Sequence, residues 1–227
     1  MNILLTNDDG YNALGINVLK ELLSEYGKVV VAAPKVVMSA KSVALNLREP
    51  IEVEKISDDL YVVDSTPADC VAFALSSLGI KFDLVFSGIN HGHNISYDTM
   101  YSGTIGACLQ ALTYRIPAIA LSADFNFDLV KKHFKEVMDY IETNKLLSTE
   151  YLLNINFPKG DCVKGIKDTH IFYRKETTYY EKMGNNRFQA LRKLNDEQCS
   201  DIDTDVYAVN HDYISVSKLG KTLDYHE

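Results

Sequence analysis

Asp8 and Asp9 stand side by side in the segment Asn7-Asp8-Asp9-Gly10. Adjacent carboxylates repel one another unless a proton or a cation intervenes. Ser39 and Ser42, and the run Ser87-Gly88-Ile89-Asn90-His91-Gly92-His93-Asn94, add hydroxyl and amide oxygens. The pooled donor set is hard and oxygen-rich, which suits Mg²⁺, Mn²⁺ or Ca²⁺. A conformational reading competes with this one, because Asn, Asp and Gly also make turns and cap helices. Tyr101-Ser102-Gly103-Thr104-Ile105-Gly106 opens a helix with small residues. Such a start offers backbone N–H groups and the positive end of the helix dipole to an anion, with phosphate the obvious candidate. An ordinary N-cap with glycine for close packing accounts for the same fragment. The spacing Gly88-x-x-x-Gly92 is neither a Walker loop nor a dinucleotide fingerprint. His91-x-His93 is a metal pair only if a strand puts both rings on one face. Tyr179-Tyr180 is open to two roles, stacking on a base or serving hairpin and subunit contacts.

These loops need strands to carry them. Ile3 to Thr6 is a strand-length apolar run, Ile16, Leu19, Leu22 and Leu23 recur at helical spacing, and Val29 to Ala33 is a second apolar strand ended by Pro34. This reads as a β-α-β unit with strands buried on both faces. The alternation continues with a hairpin across Ile51 to Val63, a helix from Pro67 to Leu78 capped by Thr66, and a strand from Asp83 to Phe86. The following loop starts at Ser87. A helix from Thr104 to Tyr114, a strand from Ala118 to Leu121, an amphipathic helix from Phe127 to Asn144 and a strand from Leu152 to Phe157 complete the series. The pattern predicts a Rossmann-like, doubly wound, mostly parallel α/β sheet with a C-terminal hairpin and arm extension. In such a sheet ligands bind beyond the carboxyl ends of the strands, where the three polar loops fall together. The predicted boundary lies near residue 160, giving a core over 1–160 and a β-rich extension over 161–227. That extension includes the alternating segment His170 to Tyr173 and the strand Tyr213 to Ser217, and an arm of this kind suits exchange with a partner subunit.

The 227 residues allow one large domain, with 46% hydrophobic and 24% charged residues, as in an ordinary globular protein. No apolar run approaches the roughly 18 residues that span a bilayer, and the N-terminus lacks a signal-peptide pattern. A net charge of −8 opposes binding to a nucleic-acid polymer or an anionic membrane. Four cysteines without a CxxC pair fit reduced thiols in a cytoplasm.

Read together, the strings ILLTNDDG at 3 to 10, APxxxxS from Ala33 to Ser39, STPADCV at 65 to 71, SGINxGxN at 87 to 94, YSGTIGA at 101 to 107 and LNINFP at 153 to 158 resemble the SurE (survival protein E) family of 5′/3′-nucleotidases. TDVYAVNHDYISVS at 204 to 217 is similar to the family's end, whereas 175 to 200 is less recognisable. The resemblance implies that Asp8, Asp9, Ser39 and Asn90 hold one divalent metal ion, with Mg²⁺ or Mn²⁺ expected. It implies that Asn94, Ser102, Gly103 and Thr104 grip the substrate phosphate. It also implies a metal-dependent phosphatase acting on nucleoside monophosphates, in some members also on short polyphosphate, with an arm exchanged in a homodimer or homotetramer. Two positions depart from the family's pattern: Leu14 replaces a usual proline and Ala40 a usual glycine.

The expected mechanism is direct attack by a metal-activated water, with Asp8 or Asp9 taking its proton and the Ser102–Thr104 turn and Asn94 stabilising the phosphate oxygens. A phosphoaspartate route through Asp8 is the enzymatic rival, although that scheme usually separates its carboxylates by one residue. A catalytically silent metal-dependent nucleotide sensor and a structural oligomerisation protein are the rivals from other classes.

Overall fold

A computed structural model describes residues 1–124, 127–173, 176–194 and 199–220. The leading β-α-β unit comprises β1 (Asn2–Thr6), α1 (Leu14–Leu23) and β2 (Lys28–Pro34). Next come the hairpin β3 (Val53–Ser57) and β4 (Leu60–Val63), and α2 (Pro67–Ser77). Pro67 occupies the first turn of α2, and Thr66 caps it, accepting from the Asp69 N–H at 3.1 Å. Then follow β5 (Leu84–His91), the short α3 (Asp98–Tyr101), α4 (Gly103–Thr113), β6 (Ala118–Ala123), α5 (Asp128–Thr143) and β7 (Tyr151–Asn156). The remaining elements are β8 (Gly165–Thr169), β9 (Glu176–Gly184), β10 (Arg187–Leu194), α6 (Asp205–Asn210) and β11 (Tyr213–Gly220).

Nine strands form one sheet in the order β3-β4-β2-β1-β5-β6-β7-β11-β8. The run from β4 to β7 is parallel, and antiparallel pairs join β3 to β4 and β11 to β7. Strands β9 and β10 pair only with each other, as a separate antiparallel hairpin. This is the doubly wound, mostly parallel architecture that the alternation predicts. Residues beyond 160 supply β8 and β11 to the main sheet as well as the hairpin.

Alternation along β1 divides the core into two layers. Ile3 and Leu5 face α1 and α5, meeting Ile16, Leu19, Phe134 and Val137, whereas Leu4 faces α2 and α4, meeting Val71, Ala74, Ile105 and Cys108. All of these side chains are buried. Helices therefore cover both faces, and the chain winds in opposite directions from β1 and β5, leaving a crevice where those strands end.

Three sequence expectations are corrected. Ser87 to His91 continues β5 instead of starting a loop, because the strand absorbs a bulge: Ser87 pairs with Ala120, but Asn90 pairs with Ser122. Gly88 makes the bulge possible, having φ +140° and a position where a Cβ would lie 2.3 Å from the Leu121 carbonyl oxygen. Residues His170 to Tyr173 form no strand, only an isolated bridge from His170 to Thr204. Their backbone donors turn aside, His170 N–H to the Asp203 carbonyl at 3.0 Å and Phe172 N–H to Asp205 Oδ1 at 2.9 Å. Finally, α6 interrupts the extension expected to be β-rich, with Thr204 Oγ1 accepting from the Tyr207 N–H at 3.3 Å.

Candidate active site

The turn after β1 is built by Asn7. Its Nδ2 donates to the Gly10 carbonyl at 2.8 Å, and its Oδ1 accepts from the Gly10 N–H at 3.2 Å. Gly10, with φ +102°, closes this loop. Helix α1 starts only at Leu14, behind Ala13 and without a side-chain cap, so neither aspartate serves as its cap. The capping role considered for the Asp8-Asp9 pair is thereby removed.

Asp8 is 4% exposed, and its Oδ1 accepts from Thr104 Oγ1 at 2.7 Å. Burial pushes its carboxyl up to about 6; the Thr104 hydrogen bond opposes that shift, and repulsion from Asp9 adds to it. Asp9 Oδ2 accepts from the His91 N–H at 3.1 Å, which ties the β1 turn to the end of β5. Asn90 donates through Nδ2 to the Gly92 carbonyl at 2.9 Å, leaving Oδ1 as its oxygen for a cation. Ser39 is exposed, on the loop after β2. All four residues line one cleft of about 260 Å³.

The phosphate-side residues converge on the same cleft. Asn94 and Ser102 line it directly. Ser102 caps α4, its Oγ accepting from the Ile105 N–H at 3.2 Å. Gly103 packs against the carboxylate: a Cβ there would lie 2.9 Å from Asp8 Cβ and 3.0 Å from Asp8 Oδ2. With Thr104 bonded to Asp8, the first turn of α4 sits immediately beside the buried aspartate. The unpaired N–H groups of a helix start are donors in need of an acceptor.

Residue order alone gives no role to the side chains that brace Asn94. Asn94 is 5% exposed, and three side chains fix it. Its Nδ2 donates to Ser122 Oγ at 2.9 Å, its N–H donates to Asn156 Oδ1 at 2.8 Å, and its carbonyl accepts from Asn154 Nδ2 at 2.8 Å. The signal lay in the buried strand β7, where Asn154 and Asn156 alternate with Leu153 and Ile155 and must find partners. Arg192 of β10 also lines the cleft, beside Asp98 and Tyr101. Tyr179 and Tyr180 of β9 are exposed.

The histidine pair behaves differently from a metal pair. His91 ends β5, Gly92 turns away with φ +104°, and His93 Nε2 donates to the Phe157 carbonyl at 2.8 Å. Burial lowers the pKa of His93, favouring the neutral ring. Among the described residues no group of three or more His, Cys, Asp and Glu side chains is arranged to hold a metal. A cation here would therefore rest on two carboxylates and neutral oxygens, a set that fits Mg²⁺, Mn²⁺ or Ca²⁺ better than Zn²⁺.

The family model described as Survival protein SurE matches residues 3–178. The chain belongs to the SurE family. A protein of Clostridium botulinum (strain ATCC 19397 / Type A) named 5′-nucleotidase SurE is 36% identical over 96% of this chain and 92% of its own length. One of the same name from Actinobacillus succinogenes is 36% identical over 100% of this chain and 95% of its own. The crystal structure of a SurE protein from Aquifex aeolicus superposes with a TM-score of 0.82 at 34% identity, covering 99% of this chain and 95% of that one. Among the described residues of this SurE chain, no helix is long and apolar enough to cross a membrane.

Proposed function

We propose that this chain is a divalent-metal-dependent 5′-nucleotidase that hydrolyses nucleoside monophosphates to nucleoside and phosphate, with short polyphosphate as a further substrate. The observation that carries the reading is the pairing of Asp8 and Asp9 with the first turn of α4 in one cleft, sealed by the Thr104–Asp8 hydrogen bond. The names of the two bacterial relatives support the same activity.

In this reading Asp8, Asp9, Ser39 and Asn90 hold one cation, Mg²⁺ or Mn²⁺. Bound there, a divalent ion supplies charge neutralisation and water activation. The chain's own groups do the rest. The first turn of α4 and Asn94 receive the phosphate oxygens, largely an electrostatic contribution. Asp8 or Asp9 accepts the proton of the attacking water. Direct attack is favoured over a phosphoaspartate route because Asp8 and Asp9 are adjacent, whereas that scheme usually separates its carboxylates by one residue. An adjoining hollow of about 310 Å³, which shares Asp9 and His91 with the cleft and is walled by Leu14 and Phe127, gives room for the nucleoside.

The proposal includes a cytoplasmic homodimer or homotetramer whose contacts use the exposed face of the β9–β10 hairpin. Free cysteines support the compartment, and exposed Tyr180, Met183 and Phe188 on the hairpin support the assembly, which light scattering tests. Nucleic-acid polymers and membranes are not among the proposed partners.

The deciding experiment is phosphate release from a panel of nucleoside monophosphates with Mg²⁺, Mn²⁺ or EDTA, comparing wild type with Asp8→Asn. Release that needs the metal and disappears in the variant supports the nucleotidase. Metal-dependent binding of the same nucleotides without release would replace it with a silent sensor.

A further inference from the structure

The cleft carries more negative charge than one divalent cation balances. Asp8, Asp9 and Asp98 all line it, and its substrate is itself an anion. Burial favours the neutral form of His93. Among the described residues lining the cleft, Arg192 is the one permanently charged cation.

Arg192 is held at the rim by two contacts. It lies on β10 opposite Thr178, its Nη1 forms an ion pair with Asp98, and its guanidinium stands 5.0 Å from the centre of the Tyr101 ring. Asp98 begins α3 and Tyr101 ends it, so one short helix immediately before the Ser102 cap presents the arginine to the cleft. A guanidinium has five N–H donors in a planar fork, and one carboxylate oxygen does not exhaust them.

We propose that Arg192 is a substrate-binding residue, donating to the phosphate oxygens from the rim of the cleft that Asp8 also lines and supplying the positive unit that a single divalent cation leaves wanting. The inference rests on the reading of this cleft as a phosphomonoester site. In it Asp98 positions the guanidinium and competes with the phosphate for its donors, while the Tyr101 ring supports it at 5.0 Å. The hairpin thus contributes to the chemistry despite lying outside the main sheet.

Inorganic phosphate is the probe, because it occupies the phosphate position without a base. Its binding to the full chain with Mg²⁺ is measured by calorimetry and by competitive inhibition of nucleoside monophosphate hydrolysis, in wild type, Arg192→Ala, Arg192→Lys and Asp98→Asn. Arg192→Ala is expected to weaken phosphate binding and raise KM by about tenfold or more, the range of a charge-assisted hydrogen bond, with a smaller change in kcat. Arg192→Lys restores only part, since an ammonium lacks the planar fork. Asp98→Asn removes the competing charge and tightens phosphate binding. Unchanged phosphate binding in Arg192→Ala overturns the proposal, as does an equal weakening in Asp98→Asn, which would make the pair a mere anchor for the hairpin. A wild-type chain that binds phosphate through Arg192 but hydrolyses no monoester refutes the nucleotidase and leaves this role standing. Hydrolysis with Arg192 irrelevant does the reverse.

Discussion

Thr104 Oγ1 donates to Asp8 Oδ1 at 2.7 Å across 96 residues of sequence, joining the first turn of α4 to the end of β1. The bond opposes the upward pull of burial on the Asp8 carboxyl. Thr104→Val keeps the shape and removes the donor, leaving a buried carboxylate short of a partner at a cost of about 1–3 kcal/mol. Phosphate release is expected to fall at least tenfold, and Thr104→Ser to recover most of it. Steady-state kinetics on the three proteins, with thermal melts alongside, check both statements.

Gly103 packs against Asp8 and leaves no room there for a side chain. An added methyl would meet Asp8 Cβ at 2.9 Å and the Met38 carbonyl oxygen at 3.2 Å, so one of them must shift. Because Met38 N–H also donates to the Asp8 carbonyl at 2.7 Å, the strain falls on the aspartate and its loop together. Gly103→Ala should cost activity tenfold or more while the chain stays folded, a separation that near-UV circular dichroism and an activity assay resolve.

Ala40 sits beside the exposed Ser39 with φ +58°. A left-handed backbone costs a residue with a Cβ roughly 1–2 kcal/mol, part of which glycine's larger unfolded-state entropy offsets. Ala40→Gly is therefore expected to raise the unfolding free energy by up to about 1 kcal/mol, read from denaturant midpoints, without loss of activity.

His93 gives the fold a pH dependence of known sign. Its pKa is lowered in the folded state, chiefly by burial and against the pull of its hydrogen bond to Phe157. At this site the unfolded chain therefore binds more protons than the folded one as pH falls through the ordinary histidine range, and the His93 contribution to stability declines there, against the raised Asp8 carboxyl, which acts in the opposite sense. Denaturant midpoints of wild type and His93→Gln between pH 5 and 8 isolate it: the wild type should lose stability relative to the variant as pH falls.

Much of this arrangement is legible from residue order because its signals are local. Continuous apolar runs at Ile3 to Leu5 and Val29 to Ala33 announce buried parallel strands, and Thr66-Pro67 and Ser102-Gly103 announce helix starts, each readable within a few residues. The continuation of β5 through Gly88 is not local: it depends on the carbonyl of Leu121 arriving from β6. Likewise Asn154 and Asn156 announce that β7 carries buried amides, but only the folded sheet shows that they brace Asn94. Arg192 does not stand out in the sequence for a further reason, since its partners Asp98 and Tyr101 lie more than ninety residues away and its own segment matches none of the recognisable strings.

The hairpin of β9 and β10 is hydrogen-bonded to itself and to no strand of the nine-stranded sheet. Its sequence is therefore free to drift without repacking Ile3, Leu4 or Phe134, provided a residue at the place of Arg192 still meets the rim. A ribbon held by its own ladder thus answers to the interior through one side chain, and a change anywhere else along it leaves the aspartates where they are.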